Sequence, residues 1–125
     1  MITVNDASAD CKSGWREYKK NCYKVFRDEK NPDQAEIFCN GFNGNLASIM
    51  SRDENKFIEK LIDRRSRYSE YLVGLRKRER SIWYWTDNEQ KSPIKFLNWS
   101  GGNKKRHYGS YGFITSLDGK WDSRT

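Results

Sequence analysis

The segment "NWSGGNKKR" at residues 98–106 combines two kinds of side chain that favour opposite ligands. Its two asparagines carry amide oxygens, which are among the hard oxygen ligands that calcium prefers. Its last three residues are cations, which attract anions and repel a dication. Because a tyrosine follows closely, we predict a ligand-binding surface formed by Asn98, Asn103, Lys104, Lys105, Arg106 and Tyr108.

Catalytic chemistry has little support in this sequence. The chain contains one histidine, His107, and no nucleophile motif, Gly-rich phosphate loop or close pair of metal ligands. Cys39 is the remaining candidate nucleophile, but it lies on the apolar face of a predicted helix, where a buried structural cysteine is expected. We therefore predict that the protein is not an enzyme.

The three cysteines occur at spacings that match no common zinc-ligand set. Ten residues separate Cys11 from Cys22, a length that allows a disulfide between adjacent strands and suggests an oxidising compartment. Cys39 is then left over. Asn98 also begins an N-glycosylation sequon, which is meaningful only if the protein is secreted.

The composition describes a single domain with a charged surface. The chain has 125 residues, a formal net charge of +7 and a pI near 9.4, which favour anionic partners. No nucleic-acid-binding motif accompanies the charge, so no nucleic-acid partner is expected. No window is long enough to span a membrane, and the N-terminus lacks the apolar region of a signal peptide.

Two helices are predicted from their capping residues. Asn31 is a suitable N-cap, with a proline at the first helical position, for a helix that ends near Gly41 or Gly44. Ser51 and Glu54 have the spacing of a capping box at the start of a second helix. The apolar face of this second helix comprises Phe57, Ile58, Leu61 and Ile62.

Short strands account for most of the remaining chain. After a polar tail at residues 1–10, a hairpin is predicted with its turn at Lys19–Asn21 and its second strand at Cys22–Phe26. The tryptophans at 83, 85, 99 and 121 are expected in the core, which explains them better than exposed sugar stacking. The class is α+β and mostly antiparallel. Further strand-like runs lie at residues 46–50, 71–75, 81–85, 94–99 and 111–116, the last followed by a turn at Asp118-Gly119.

The order of these landmarks resembles the C-type lectin-like domain in its long form. The matching motifs cover most of residues 11–125, and their joint order is far more specific than any one of them. They are C..GW..Y...CYKVF at 11–26, A..FC at 35–39, GNLASIMSRDENKFI at 44–58, YLVGL at 71–75, WYWTD at 83–87, FLNW at 96–99 and GKWD at 119–122.

The resemblance implies a domain over residues 11–125, with two helices flanking two small antiparallel sheets. It also implies that the first and last strands pair, and that a long loop from about Trp85 to Tyr111 binds ligands. It pairs Cys11 with Cys22, and Cys39 with a cysteine of the last strand. Because the sequence ends at Thr125, that strand is apparently missing, which predicts an open sheet edge prone to association.

Sugar-binding members of this family use a Glu-Pro-Asn or Gln-Pro-Asp triplet and a later Asn-Asp pair to build a calcium site. Here the corresponding positions hold Asn-Lys-Lys at 103–105 and Asp-Ser at 122–123. Each cation at these positions would repel a bound dication with an energy of about 1 kcal/mol or more. We therefore expect no cofactor. A rearranged calcium site remains an alternative if at least three of its candidate ligands converge, namely Asp87, Glu89, Asn98, Asn103 and Asp122.

The predicted function is recognition by a secreted or extracellular module. We expect calcium-independent binding of a protein or anionic ligand, such as a sulfated glycan, through the long loop. The alternatives are a calcium-dependent lectin and a heparin- or membrane-binding defence or venom protein; a homodimer is also compatible with the family. The sequence contains two further basic clusters: one of Arg64, Arg65 and Arg67, and one of Arg76, Lys77, Arg78 and Arg80. They either extend this surface or, as we favour, are separately solvated.

Overall fold

A computed structural model of the chain describes residues 1–6, 10–62, 69–78, 82–87, 94–103 and 106–125. These residues form an α+β fold with two antiparallel sheets, ordered β2-β3-β1-β4 and β6-β5-β7-β8, so the predicted class is confirmed. The elements are β1 (Ile2–Asp6), β2 (Arg16–Tyr18), β3 (Asn21–Val25), α1 (Pro32–Asn40), β4 (Gly44–Leu46), α2 (Arg52–Leu61), β5 (Glu70–Arg78), β6 (Ile82–Trp85), β7 (Tyr111–Thr115) and β8 (Trp121–Arg124).

Strand β1 is the main departure from the predicted fold. The prediction of a polar tail at residues 1–10 is wrong at its start, because β1 lies between β3 and β4 in the first sheet. It pairs with β3 over five residues and with β4 over three. Met1, Ile2 and Thr3 are buried. The β-branched run Ile-Thr-Val suits a strand, and burying its inward side chains stabilises that position.

β1 also lies beside the cysteine that the resemblance pairs with the last strand. It lies beside β3, and Thr3 Oγ1 is 2.9 Å from the Sγ of Cys39, the thiol whose expected partner belongs to that last strand. Cys39 is fully buried and forms no disulfide. Strand β1 therefore covers the side of β3 that faces away from β2, whereas β2, the predicted first strand, stands at the edge of the sheet.

Both predicted helices are confirmed. At the start of α1, Asn31 Oδ1 accepts from the backbone N–H of Gln34 (2.8 Å), and the Gln34 side chain accepts from Asn31 N (3.3 Å). At the start of α2, Ser51 Oγ accepts from Glu54 N (3.1 Å). The Glu54 carboxylate accepts from the backbone N–H of Met50 (2.7 Å), one residue before the cap, so the second capping box is only half formed.

Two predicted strand segments differ from the structure. The run at 46–50 was expected to be a strand, but β4 ends at Leu46, and the chain then leaves the sheet toward α2. The run at 94–99 is irregular and contributes an isolated parallel bridge between Trp99 and Trp121. Apolar composition at these positions reflects burial against the core rather than membership of a sheet.

The core contains the predicted tryptophans. Trp85, Trp99 and Trp121 are each at most 4% exposed, and Trp83 packs half-buried against them. A polar residue lies against these rings: Asn55 of α2 accepts a hydrogen bond from Trp121 Nε1 (2.8 Å). Its Nδ2 donates to the carbonyl of Gly119 (3.0 Å), so α2 holds the turn between β7 and β8 in place.

Candidate functional site

The described part of the predicted loop contains a tight segment at residues 97–103. The side chain of Asn103 spans this segment: its Oδ1 accepts from the backbone N–H of Trp99 (2.8 Å), and its Nδ2 donates to the carbonyl of Leu97 (3.2 Å). Gly102 N donates to Trp99 O (3.2 Å). Both ends of the Asn103 amide are therefore used to shape the loop.

Asn98 also has a structural role. Its backbone carbonyl accepts from Trp121 N (2.8 Å), and its Nδ2 donates to the carbonyl of Gly119 (2.9 Å). Because Gly119 O also receives the Asn55 amide, this carbonyl joins α2 to the loop. A glycan at the Asn98 sequon would be attached to the same Nδ2, which would keep one N–H for a hydrogen bond.

The carboxylates proposed for a rearranged calcium site have other partners. Asp87 Oδ2 accepts from Ser48 Oγ (2.7 Å), and Asp122 Oδ1 accepts from Ser123 N (2.8 Å). Glu89 lies outside the described residues. Within the part of the chain that is described, no group of three or more His, Cys, Asp or Glu side chains could hold a metal ion. Among the described residues, Asp87, Asp122 and the Oδ1 of Asn103 thus accept hydrogen bonds from the protein itself.

A group of cations and aromatic rings lies beside this segment. The Nζ of Lys77 is 5.5 Å from the ring centre of Trp83 and donates to the carbonyl of His107 (3.3 Å). The guanidinium of Arg106 is 5.5 Å from the ring centre of Tyr108, whose side chain is 74% exposed. We call Lys77, Trp83, Arg106 and Tyr108 the basic-aromatic surface. Lys104 and Lys105 lie outside the described residues.

His107 was not predicted as part of this site, yet it supports the loop. Its ring is buried and stacks on Trp99, with ring centres 4.1 Å apart and planes 21° from parallel. Its Nδ1 is 3.8 Å from Asp122 Oδ1. The sequence signal was a lone histidine one residue before an exposed tyrosine, which does not by itself reveal a stacking partner.

The two further basic clusters are only partly described. Arg76 forms an ion pair with Asp33 of α1 (2.6 Å), so its charge is partly offset. Arg78 is exposed at the end of β5. Among the described residues of these two clusters, Lys77 contacts the loop, through His107. The remaining members lie outside the described residues: Arg64, Arg65, Arg67 and Arg80.

Cys39 has the properties of a structural thiol. Burial raises its pKa, an effect opposed by the hydrogen bond with Thr3 and reinforced by the nearby Glu36 carboxylate. A raised pKa leaves little of the reactive thiolate at neutral pH.

The Cys11–Cys22 disulfide is present, with an S–S distance of 1.99 Å, and ties the start of the lectin-like motif to β3. Among the described helices, none has the length and apolar character needed to cross a membrane.

Comparison with known proteins supports the resemblance that the sequence suggested. The family model described as "Lectin C-type domain" matches residues 28–125. Snaclec clone 2100755 of Deinagkistrodon acutus is 40% identical over 91 residues, covering 70% of this chain and 59% of the relative. A snaclec subunit of Philodryas olfersii is 38% identical over 104 residues, covering 81% of this chain and 65% of the relative.

The chain thus spans about six tenths of the length of these two relatives. Among solved structures, the mouse scavenger receptor C-type lectin carbohydrate-recognition domain has a TM-score of 0.76 and 24% identity, with 91% of this chain and 86% of that chain covered. At this identity the likeness concerns the fold, and it places the two helices and two sheets in one known architecture.

Proposed function

The chain belongs to the C-type lectin domain family, and from this membership we propose that it is an extracellular module that binds an acidic protein surface without calcium. The binding face is the basic-aromatic surface together with the neighbouring loop cations. The observation that carries this proposal is the use of the loop side chains. The amides of Asn98 and Asn103 hold the backbone, whereas Arg106 and Tyr108 are exposed.

The chemistry of this surface suits an anionic protein more than a metal-bound sugar. Arginine and tyrosine are enriched among the residues that dominate protein interfaces, since they combine apolar area with directional hydrogen bonds. The Arg106 cation lies over the Tyr108 ring, and a guanidinium binds carboxylates through the N–H groups at its edge. The formal charge of +7 adds long-range attraction for an acidic partner.

Two further observations support an extracellular setting and a protein partner. The Cys11–Cys22 disulfide is typical of oxidising compartments. One relative is named as a subunit, which favours assembly with other polypeptides. The family comprises non-enzymatic binding proteins, and the buried Cys39 with its raised pKa offers no nucleophile. We therefore place the function in recognition rather than catalysis.

The experiment compares two triple variants with the same change in charge. Lys104, Lys105 and Arg106 are changed to Ser in the first; the exposed Lys12, Lys56 and Lys60 are changed to Ser in the second. Both lower the formal net charge from +7 to +4 (7 − 3). We expect the first variant to bind immobilised poly-glutamate about tenfold more weakly than the second, since three contacts of roughly 0.5 kcal/mol sum to one decade.

The result would contradict the proposal if both variants lost affinity equally, because bulk charge would then explain binding. Immobilised heparin is the second probe, and binding to heparin without binding to poly-glutamate would indicate a sulfated glycan as ligand. Thermal unfolding in millimolar calcium and in chelator tests the metal separately. Coincident curves are expected; a midpoint several degrees higher with calcium would support the calcium-dependent lectin instead.

A further inference from the structure

We propose that Asn43 is a site of spontaneous deamidation, at which the backbone nitrogen of Gly44 displaces the side-chain amide. The sequence contains two Asn-Gly pairs close together, at residues 40–41 and 43–44. In such a pair the asparagine side chain is short enough to form a ring with the next backbone nitrogen, and glycine has no Cβ to hinder the attack. The two pairs therefore have the same local chemistry, and the fold decides which of them reacts.

The reaction needs no reagent other than water. The nitrogen of Gly44 loses its proton to solvent and bonds to the side-chain carbonyl carbon, Cγ, of Asn43. The bond from Cγ to the side-chain nitrogen breaks, and that nitrogen takes up a proton and leaves as ammonia. One water molecule then opens the resulting cyclic imide at either of its carbonyls. The products are aspartate in a normal main chain and isoaspartate, in which the main chain runs through Cγ.

Helix α1 protects the pair at residues 40–41. Asn40 is the last residue of this helix, and the N–H of Gly41 donates to the carbonyls of Ile37 and Phe38, at 3.2 Å each. A nitrogen held in these bonds must leave the helical turn before it can attack the side chain. Opening the end of α1 is thus a required step for Asn40, and it slows the reaction there.

Strand β4 leaves the nitrogen of Gly44 outside the ladder of hydrogen bonds. Gly44 faces Asn5 of β1. Three residues further along, Ala47 N donates to the carbonyl of Ile2 (2.9 Å), so Ala47 and Ile2 form a hydrogen-bonded pair. Such pairs alternate with pairs that exchange no backbone bonds, and the alternation assigns Asn5 and Gly44 to the second kind. Since β4 stands at the edge of the described sheet, no strand on its other side binds this N–H.

The side chain of Asn43 is accessible to water. Asn43 is exposed between α1 and β4, with a φ of 57°, a left-handed conformation that asparagine adopts more readily than most residues. It lines a cavity of about 400 Å³ together with Asp6 and Asp10. Water in this cavity can hydrolyse the imide, and the new carboxylate would then lie in the same cavity as two existing ones.

Deamidation changes both the charge and the backbone. Each event lowers the formal net charge from +7 to +6 (7 − 1). The isoaspartate form also lengthens the main chain directly before β4, whose residues pair with β1. Repulsion between the carboxylates and the altered connection both oppose that pairing. We therefore expect the modified chain to unfold at a lower denaturant concentration than the unmodified one.

The wild-type chain supplies its own control, because it contains both asparagines. It is incubated in mildly alkaline buffer, folded in one sample and unfolded in guanidinium chloride with its disulfide reduced in the other. Peptide mapping by mass spectrometry measures the conversion of amide to acid at each position. We expect Asn43 to react about threefold to tenfold faster than Asn40 in the folded chain, a factor that matches the net value of the hydrogen bonds at Gly41. In the unfolded chain the two rates should be similar.

Equal rates at the two positions in the folded chain, or a faster reaction at Asn40, would overturn the proposal. So would a folded chain in which neither asparagine reacts while the unfolded sample does, because the fold would then protect both pairs. Ammonia release from two variants gives a second measurement. Asn43→Gly tolerates the left-handed backbone and should lose the fast phase, whereas Asn40→Ala should keep it. A fast phase that persists in Asn43→Gly would contradict the assignment.

Discussion

Replacing Asn55 by alanine should destabilise the protein more than its single polar side chain suggests. Asn55 is 2% exposed, and both ends of its amide are hydrogen-bonded. Its Oδ1 accepts from Trp121 Nε1 (2.8 Å), and its Nδ2 donates to Gly119 O (3.0 Å) and Glu59 Oε2 (3.1 Å). Since Trp121 is fully buried, the indole N–H has no access to water when this acceptor is removed.

The magnitude follows from which partners lose their bonds in Asn55→Ala. Gly119 O keeps the bond from Asn98, so its loss is small. The buried N–H of Trp121 is left unsatisfied, at about 1–3 kcal/mol, and the space left by the amide adds a smaller packing loss. We expect a decrease of about 3 kcal/mol in the free energy of unfolding.

Urea unfolding followed by tryptophan fluorescence measures this change. With a slope of about 1–3 kcal/mol per molar urea, a loss of 3 kcal/mol lowers the midpoint by about 1–3 M. Asn45→Ala is the matched control, because it deletes the same amide from an exposed strand position and should change stability by less than about 0.5 kcal/mol. Equal midpoints for the two variants would refute the role of Asn55 as the acceptor that satisfies the buried Trp121.

Three further predictions concern pH and backbone geometry. Burial lowers the pKa of the Met1 amine from 8.0 to about 6, partly opposed by Cys39 and Asp28. The unfolded chain therefore binds more protons between pH 6 and 8, and stability should rise with pH across that window by up to about 2 kcal/mol. N-terminal acetylation should flatten this dependence in pH-dependent urea melts; an unchanged slope would exclude the amine. Lys20→Gly should raise the free energy of unfolding by about 0.5–1 kcal/mol, because Lys20 has φ 68°; a lower urea midpoint would contradict this. Gly119→Ala should cost about 1–2 kcal/mol, since Gly119 has φ 71° and a Cβ would overlap the Glu59 side chain; an unchanged thermal midpoint would contradict it.

The elements that the sequence predicted best are those defined by local interactions. The start of α1 follows from Asn31 and the proline after it, and the start of α2 follows from Ser51, because a cap bonds within three residues. The turn at Lys19 and Lys20 was placed correctly between β2 and β3. The burial of Trp85, Trp99 and Trp121 followed from their apolar area.

The position of β1 could not be predicted, because its partners are remote in sequence. Only three β-branched residues mark it, and the partner strands begin 15 or more residues later. The roles of Asn98 and Asn103 were hidden for a similar reason. An asparagine in a polar loop can serve as a ligand, or its amide can form hydrogen bonds with the backbone. Only the fold of residues 97–103 decides which of these two roles it has.

The packing of the tryptophans has a consequence for spectroscopy. Ring centres of Trp83 and Trp99 are 5.0 Å apart, those of Trp99 and Trp121 are 5.8 Å apart, and those of Trp85 and Trp121 are 5.3 Å apart. Excitation absorbed by any of these rings can therefore migrate to the others before emission. Because Lys77 lies over Trp83, we expect an anion that binds there to perturb the emission of the cluster. Intrinsic fluorescence thus offers a label-free signal for ligand binding, and a Trp83→Phe variant separates that signal from unfolding.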